Sequence, residues 1–221
     1  MIEAVLFDID GTLVDSVDFH TQAWQETFAH FGHEVPFCDV RSQIGKGGDQ
    51  LMPVFLPAEQ IERQGKEIEE FRSDLFKREY LPRVKAFPSV RELFERILAD
   101  GKKIGLASSA KGDELETYKK LAGITDLIHS ESSSDDAEKS KPNPDIFQAA
   151  MASLGGPRPD RVIVVGDSPF DAEAAKRASI ATVGVLSGGF PEDVLRNAGC
   201  VAIFRDPADL LNRYEESPIA R

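Results

Sequence analysis

The sequence predicts an α/β fold: a parallel sheet covered by helices on both faces, with an all-helical block inserted after the first strand. Three observations carry this expectation. The runs at residues 4–7, 103–108, 161–167 and 181–186 are apolar on both faces, as strands buried between two layers require. Helix-period segments separate them after Pro82, and no hairpin turn signal joins any two. Between residues 16 and 82 the apolar period is helical, and no strand pattern stands out.

In chain order, the opening run AVLF ends on Asp8 and Asp10, followed by Gly-Thr. His20, Trp24, Thr27, Phe28 and Phe31 then share one helical face. Residues 59–80 are charge-rich, with Ile61, Ile68, Phe71, Leu75 and Phe76 as the apolar positions of a solvated helix. The chain returns through Leu81-Pro82. This places a core at residues 1–15 and 83–221 and a helical cap at 16–82, with hinges near Asp15-Ser16 and Leu81-Pro82. Val90, Leu93, Phe94, Ile97 and Leu98 follow a helix stripe that Gly101 ends. Asn143-Pro144 reads as an N-cap with proline at the first helical position, and Ser168-Pro169 repeats the signal. The stripe after Asn143 is Ile146, Phe147, Ala150, Met151 and Leu154. Residues 130–140, SESSSDDAEKS, read as a polar loop, and the tail SPIAR as frayed.

Composition narrows the functional classes. The 221 residues carry 38 acidic and 26 basic side chains, a net charge of −12, which leaves no basic surplus to neutralise nucleic acid or an anionic membrane. A small anionic substrate needs only a local cation cluster or a metal, so it stays open. Cys38 and Cys200 are far apart and in no metal-ligand spacing, the pattern of free thiols in a reducing compartment. The first residues lack the basic and long apolar regions of a signal peptide, and no apolar run is long enough to span a bilayer. The expectation is a cytoplasmic protein, a monomer or weak homodimer, with no membrane or nucleic-acid partner.

Ligands of open parallel sheets bind beyond the carboxyl ends of the strands. There the predicted strands deliver Asp8 and Asp10, Ser108, and Asp167 with Asp171, while Lys141 lies in the loop SKPNPD. Four carboxylates packed together raise one another's pKa values, and a divalent cation resolves the conflict. All-oxygen ligation favours Mg²⁺ over zinc. An ionised aspartate needs no base to act as a nucleophile, and a second one beside it can protonate a leaving oxygen and later take a proton from water. The electrophile that suits this set is a phosphoryl group, its charge shared by Mg²⁺, Lys141 and the Ser108 hydroxyl. Each residue also has a plainer reading: a solvated turn for Asp8 and Asp10, a turn or N-cap for Ser108, a surface lysine for Lys141, and a dipole-favoured acid for Asp171. Ser109 beside Ser108 leaves the register of that motif open.

DIDGT (8–12), Ser108 of LASS (106–109), the lysine of SKPNPDIF (140–147) and GDSPFD (166–171) resemble the four motifs of the haloacid-dehalogenase-superfamily phosphotransferases, in that family's order and over nearly the whole chain. The resemblance implies a Rossmann-like three-layer core with a central parallel sheet, an inserted helical cap and an aspartyl-phosphate intermediate. It implies Asp8 as nucleophile and Mg²⁺ ligand, and Asp10 as acid/base with its carbonyl on the metal. It implies Thr12 as the residue steadying Asp10, and Ser108 and Lys141 as the phosphoryl clamp. Asp167 becomes a direct metal ligand, and Asp171 a support reaching the metal through water or Lys141. Asp10 sets the chain apart from the dehalogenase and phosphonate-cleaving branches.

The cap carries weaker signals. VDFHTQAW (17–24) resembles the cap start of the β-phosphoglucomutase branch in the spacing of His20 and Trp24, a pair that also suits core packing. In IGKGGDQ (44–50), glycines free the backbone for close approach, and Lys46 together with Arg72 offers cations for the distal end of an anionic substrate. The first reading is a Mg²⁺-dependent phosphomonoester hydrolase acting on a small phosphorylated metabolite. A phosphosugar mutase of the β-phosphoglucomutase type is the alternative, and a non-catalytic metabolite-binding protein stands below both.

Overall fold

A computed structural model of the chain describes residues 1–110, 112–133 and 138–221. Its main sheet has six parallel strands: β1 (Ala4–Phe7), β4 (Lys103–Ala107), β5 (Ser130–Ser132), β6 (Val162–Gly166), β7 (Ala181–Val185) and β8 (Cys200–Phe204). Their spatial order is β5-β4-β1-β6-β7-β8, so the first strand sits near the middle and the strand order reverses on either side of it. The four strands expected from the sequence are all present.

The two faces of β1 show how the layers form. Val5 and Phe7 point into one core with Leu93, Phe94 and Ile97 of α5 (Val90–Ala99) and Leu115 and Tyr118 of α6 (Gly112–Ala122). Ala4 and Leu6 point the other way, into a core with Phe147 and Ala150 of α7 (Asp145–Ser153) and Ala174 and Ala175 of α8 (Pro169–Arg177). Period-2 alternation on a strand with no polar face thus produces three layers. The sheet is completed by α9 (Glu192–Ala198) and α10 (Pro207–Asn212).

The inserted block holds α1 (Val17–His30), α2 (Phe37–Arg41), α3 (Gly48–Phe55) and α4 (Ala58–Leu75), with one turn of π-helix at Phe76–Tyr80. It has an apolar cluster of its own, in which Trp24 and Phe28 meet Val40, Leu51, Met52 and Ile68. Where the chain enters and leaves the block, β2 (Val14–Asp15) pairs antiparallel with β3 (Lys85–Ala86). Turn chemistry gives no hint of this ladder, because its strands lie about 70 residues apart and no tight turn joins them.

Three local expectations need correction. Ser130–Ser132 is a strand rather than a loop: the segment has no apolar side chain, and its pairing with Gly105–Ala107 of β4 rests on the backbone. The rest of that expected loop is only partly visible, since residues 134–137 lie outside the described residues. Asn143 does not cap α7. Its amide donates to the Ser140 carbonyl at 3.0 Å, closing the turn ahead of the helix. The tail is not frayed: Ile219 is fully buried in the core, and the Ile2 amide donates to the Arg221 carbonyl at 3.0 Å. The Ser168 start holds, with a reciprocal capping box to Asp171. Both cysteines are free, Cys38 exposed and Cys200 buried. Among the described residues no helix is long and apolar enough to cross a membrane.

Phe94 is fully buried, its ring centroid 4.6 Å from that of Phe7 at the carboxyl end of β1. Phe94→Ala should therefore cost about 3–5 kcal/mol in urea denaturation. Val54→Ala, at a residue 49% exposed, should stay within about 0.5 kcal/mol.

Candidate active site

The carboxyl ends of β1, β4 and β6 meet at one edge, where the loops after them carry the expected polar residues. Gly11 turns the chain sharply after β1. Its φ of +77° is one that side-chain-bearing residues rarely adopt, and a Cβ there would lie 2.5 Å from Asp167 Oδ2. The DGT turn and the β6 loop therefore pack backbone against carboxylate. Ser187 Oγ donates to the Gly11 carbonyl at 2.6 Å and ties in the loop after β7.

At the centre, the Lys141 ammonium bonds Asp8 Oδ1 and lies 2.8 Å from Asp171 Oδ1, with the Ala107 carbonyl at 3.1 Å. Lys141, Asp167 and Asp171 are all buried, and Asp8 is nearly so. Asp8, Asp167 and Asp171 each offer an oxygen within 4.8 Å of the others. Asp171 is held within the protein on both sides, by the Lys141 ion pair at Oδ1 and at Oδ2 by bonds accepted from the Ser168 amide at 3.1 Å and hydroxyl at 2.6 Å. Asp8 and Asp167 are thus the carboxylates best placed to serve a cation directly.

The electrostatics follow from that crowding. Burial drives the Asp8 carboxyl up to about 7. Lys141 opposes the rise, while Asp171 and Asp10 reinforce it. Burial, then the charges of Asp8 and Asp171, hold Asp167 well above the usual carboxylate range. Burial would lower the Lys141 ammonium, but Asp171 and Asp8 outweigh it and keep the lysine charged. One ammonium among three buried acids leaves a negative surplus, and the donors are all hard oxygens. A Mg²⁺-sized cation fits this set.

Asp10 lives in a different environment two residues away. Its Oδ1 accepts from Ser16 Oγ at 2.5 Å and sits 2.9 Å from His20 Nε2. Burial would raise this carboxyl, but the charge and hydrogen bond of His20, with help from Ser16, hold it below the ordinary value. Thr12 does not steady Asp10. Its hydroxyl turns inward, 3.2 Å from Asp8 Oδ2 and 3.3 Å from Asp167 Oδ1, because the Gly11 turn aims it under the strand end. The residues that hold Asp10 are Ser16 and His20.

Above the cluster opens a cavity of about 600 Å³. Asp8 and Asp10 line it, and so do all four cap residues singled out in the sequence: His20, Trp24, Lys46 and Arg72. Trp24 also packs in the cap's own core, so packing and lining coexist in one side chain. Arg72 lies over the Trp24 ring, 5.2 Å from its centre. The Lys46 ammonium sits 4.8 Å above the Phe170 ring, and partial burial lowers its pKa. Ser108 is fully buried, its Oγ accepting from the Ala110 amide at 3.0 Å, whereas Ser109 faces the cavity. The glycines at 45 and 47 let the cap loop lie against the core: a Cβ on Gly45 would stand 2.7 Å from Ser168 Oγ, and one on Gly47 would collide with Ser140. Sequence reasoning passed over Ser16, Glu114 and Tyr118. The last two sit four apart on α6, and only the fold reveals that they meet His20.

The comparisons agree with this architecture. The family model for haloacid dehalogenase-like hydrolases matches residues 5–185. A phosphoglycolate phosphatase from Rhodospirillum rubrum is 29% identical over 219 residues, covering 95% of this chain and 90% of that protein. A phosphorylated carbohydrates phosphatase from Thermotoga maritima is 28% identical over 217 residues, covering 97% and 99%. Among solved structures, a hydrolase from Pseudomonas syringae superposes with a TM-score of 0.84 at 30% identity, covering 97% of this chain and 98% of that one. A parallel sheet with the four motifs at one edge, matched over most of its length by that family model, makes this chain a member of the haloacid dehalogenase-like hydrolases.

Proposed function

We propose that the protein is a Mg²⁺-dependent phosphomonoester hydrolase that works through an aspartyl phosphate on Asp8. The observation that carries this reading is the contrast between two neighbouring aspartates that line one cavity. Asp8 is set among Lys141, Thr12 and Asp167, and Asp10 is set against Ser16 and His20. Asp8, beside the Lys141 ammonium and among the acids that suit a cation, is placed to attack a phosphoryl group, while Asp10, its Oδ1 held by Ser16 and His20, is placed next to it to move a proton.

In the forward step an Asp8 oxygen bonds to phosphorus as the ester P–O bond breaks, and Asp10 gives its proton to the departing alkoxide. In the second step water attacks the phosphoryl group on Asp8, Asp10 takes the water's proton, and inorganic phosphate leaves with Asp8 restored. Lys141 stays charged beside the reacting carboxylate and, with the Ser108–Ser109 turn, holds the phosphoryl oxygens. Asp8, Asp167 and the Asp10 carbonyl would hold Mg²⁺, with Asp171 supporting through Lys141. When bound, the cation supplies charge neutralisation for the phosphoryl group. Lys46 and Arg72 line the same cavity and suit a substrate whose far end carries a second anionic group. The relatives named as phosphatases of phosphoglycolate and of phosphorylated carbohydrates support a small phosphorylated metabolite.

Phosphorus NMR with Mg²⁺ on phosphoglycolate, hexose 1- and 6-phosphates and pentose phosphates, with a trace of glucose 1,6-bisphosphate, tests the reading. Inorganic phosphate should grow at the expense of one or more esters. Conversion of glucose 1-phosphate to glucose 6-phosphate without free phosphate would make the enzyme a mutase instead. Asp8→Asn should lower kcat by about 10⁴–10⁶-fold while the fold persists.

The raised carboxyls also set a pH dependence of stability. Asp8 at about 7 and Asp167 above its ordinary value bind protons more tightly folded than unfolded. Their contribution is therefore full below about pH 4 and lost as pH rises through 7. Without metal, the melting temperature should fall from pH 5 to pH 8. Mg²⁺ at a hundredfold excess over its Kd should restore roughly 5–10 °C at pH 8 and less at pH 5. A metal-free melting temperature that rose across this range would contradict the assignment.

A further inference from the structure

We infer that Tyr118 and Glu114, on helix α6 of the core, are positioning residues for Asp10, acting through His20 of the inserted block and through the Tyr118 hydroxyl itself; the inference rests on the reading of Asp10 as proton carrier. Glu114 is 4% exposed and Tyr118 1%. Among the described residues Glu114 forms no ion pair with a lysine or arginine. Its neighbours are the Tyr118 hydroxyl at 3.1 Å and His20 Nε2 at 3.7 Å. Burying a carboxylate without a fixed cation is costly, and Glu114 stands at the lining of the cavity beside Asp10 and His20 rather than in the apolar core. The packing of the sheet gives no reason for it.

The hydrogen bonds supply one. The Tyr118 hydroxyl has one proton and three neighbours, Glu114 Oε1 at 3.1 Å, His20 Nε2 at 3.2 Å and the Asp10 carboxylate; donated to Glu114, the proton leaves the phenol oxygen as an acceptor toward His20. Asp10 Oδ1, 2.9 Å from the same nitrogen, is also an acceptor. Two acceptors facing one ring nitrogen require that it carry a hydrogen, so Glu114 fixes the direction of the whole chain through Tyr118. Phe76 fixes the plane of the imidazole, stacked at 3.9 Å and 7°. His20 and Ser16 both bond Oδ1 of Asp10, and neither bonds Oδ2. The transferable proton is thereby kept on Oδ2, on a residue that lines the cavity. Without the acceptor on Glu114, the Tyr118 hydroxyl turns to donate toward His20 or Asp10, and Oδ1 and Oδ2 lose their distinct roles.

The test is the dependence of kcat/KM on the leaving group. An alkyl monoester, phosphoglycolate or a hexose phosphate, needs protonation of its leaving oxygen, while 4-nitrophenyl phosphate releases a stable anion. Tyr118→Phe should lower kcat/KM on the alkyl ester by about 10- to 100-fold, part of the ~10²–10⁴ that proton transfer contributes. It should change 4-nitrophenyl phosphate by less than about threefold, the ratio for a lost proton donor. Glu114→Met, similar in volume and helix preference, should show the same selective loss. Equal losses on both esters, or none, in both variants would reduce the pair to packing and overturn the inference. Asp10→Asn serves as the reference. If it discriminates between the esters and the α6 variants do not, the positioning role alone fails; if it does not discriminate, the proton-carrier reading falls and takes the inference with it.

Discussion

Three carboxylates and one ammonium, packed out of water at the ends of the central strands, are the constraint around which this molecule is arranged. Lys141 touches Asp8 and Asp171 at once and anchors on the Ala107 carbonyl, so the loop before α7 is drawn under the sheet edge. Its charge cannot neutralise three acids, and the residual negative surplus suits a small hard cation there. The backbone around the cluster is shaped to permit the crowding. Gly11 has a left-handed φ against Asp167, and Asp171 is held by the start of α8 before it reaches Lys141.

The same edge makes two aspartates chemically unlike. Asp8 sits deep among other acids, and burial raises it. Asp10, one residue beyond a buried isoleucine, turns toward the inserted helices, where Ser16 and His20 stabilise its charge. That difference depends on α1 bringing His20 to Asp10, with the imidazole stacked on Phe76 of the π-turn, so the inserted block shapes the site as well as covering the cavity. His20 joins the parts: it is stacked on Phe76, bonded to Asp10 and in reach of Tyr118.

Much of this was legible in the sequence because it rests on local signals. Apolar runs gave β1, β4, β6 and β7, and helix stripes gave α5 and α7. The residues that end those strands carry the chemistry in any parallel sheet. What was missed depends on contacts between distant segments. Ser130–Ser132 is a strand only through main-chain pairing to β4, whereas β8 reads CVAIF, an apolar run that was passed over although the signal was there. The orientation of Thr12 follows from a backbone turn rather than from residue type. The side-chain partners of Asp10 split the same way. His20 stood out by its spacing from DIDGT, whereas Glu114 and Tyr118 look in isolation like an ordinary helix face beside a lysine pair.

The central claim is that Asp8 becomes covalently phosphorylated. The measurement that reaches it most directly is acid quenching during turnover with Mg²⁺, followed by proteolysis and mass spectrometry of the peptides. The account predicts one phosphoryl group on the peptide containing Asp8, released by hydroxylamine as expected of an acyl phosphate. A phosphoryl group fixed to another residue, or none under conditions where the bond-breaking step outpaces hydrolysis of the intermediate, would contradict it.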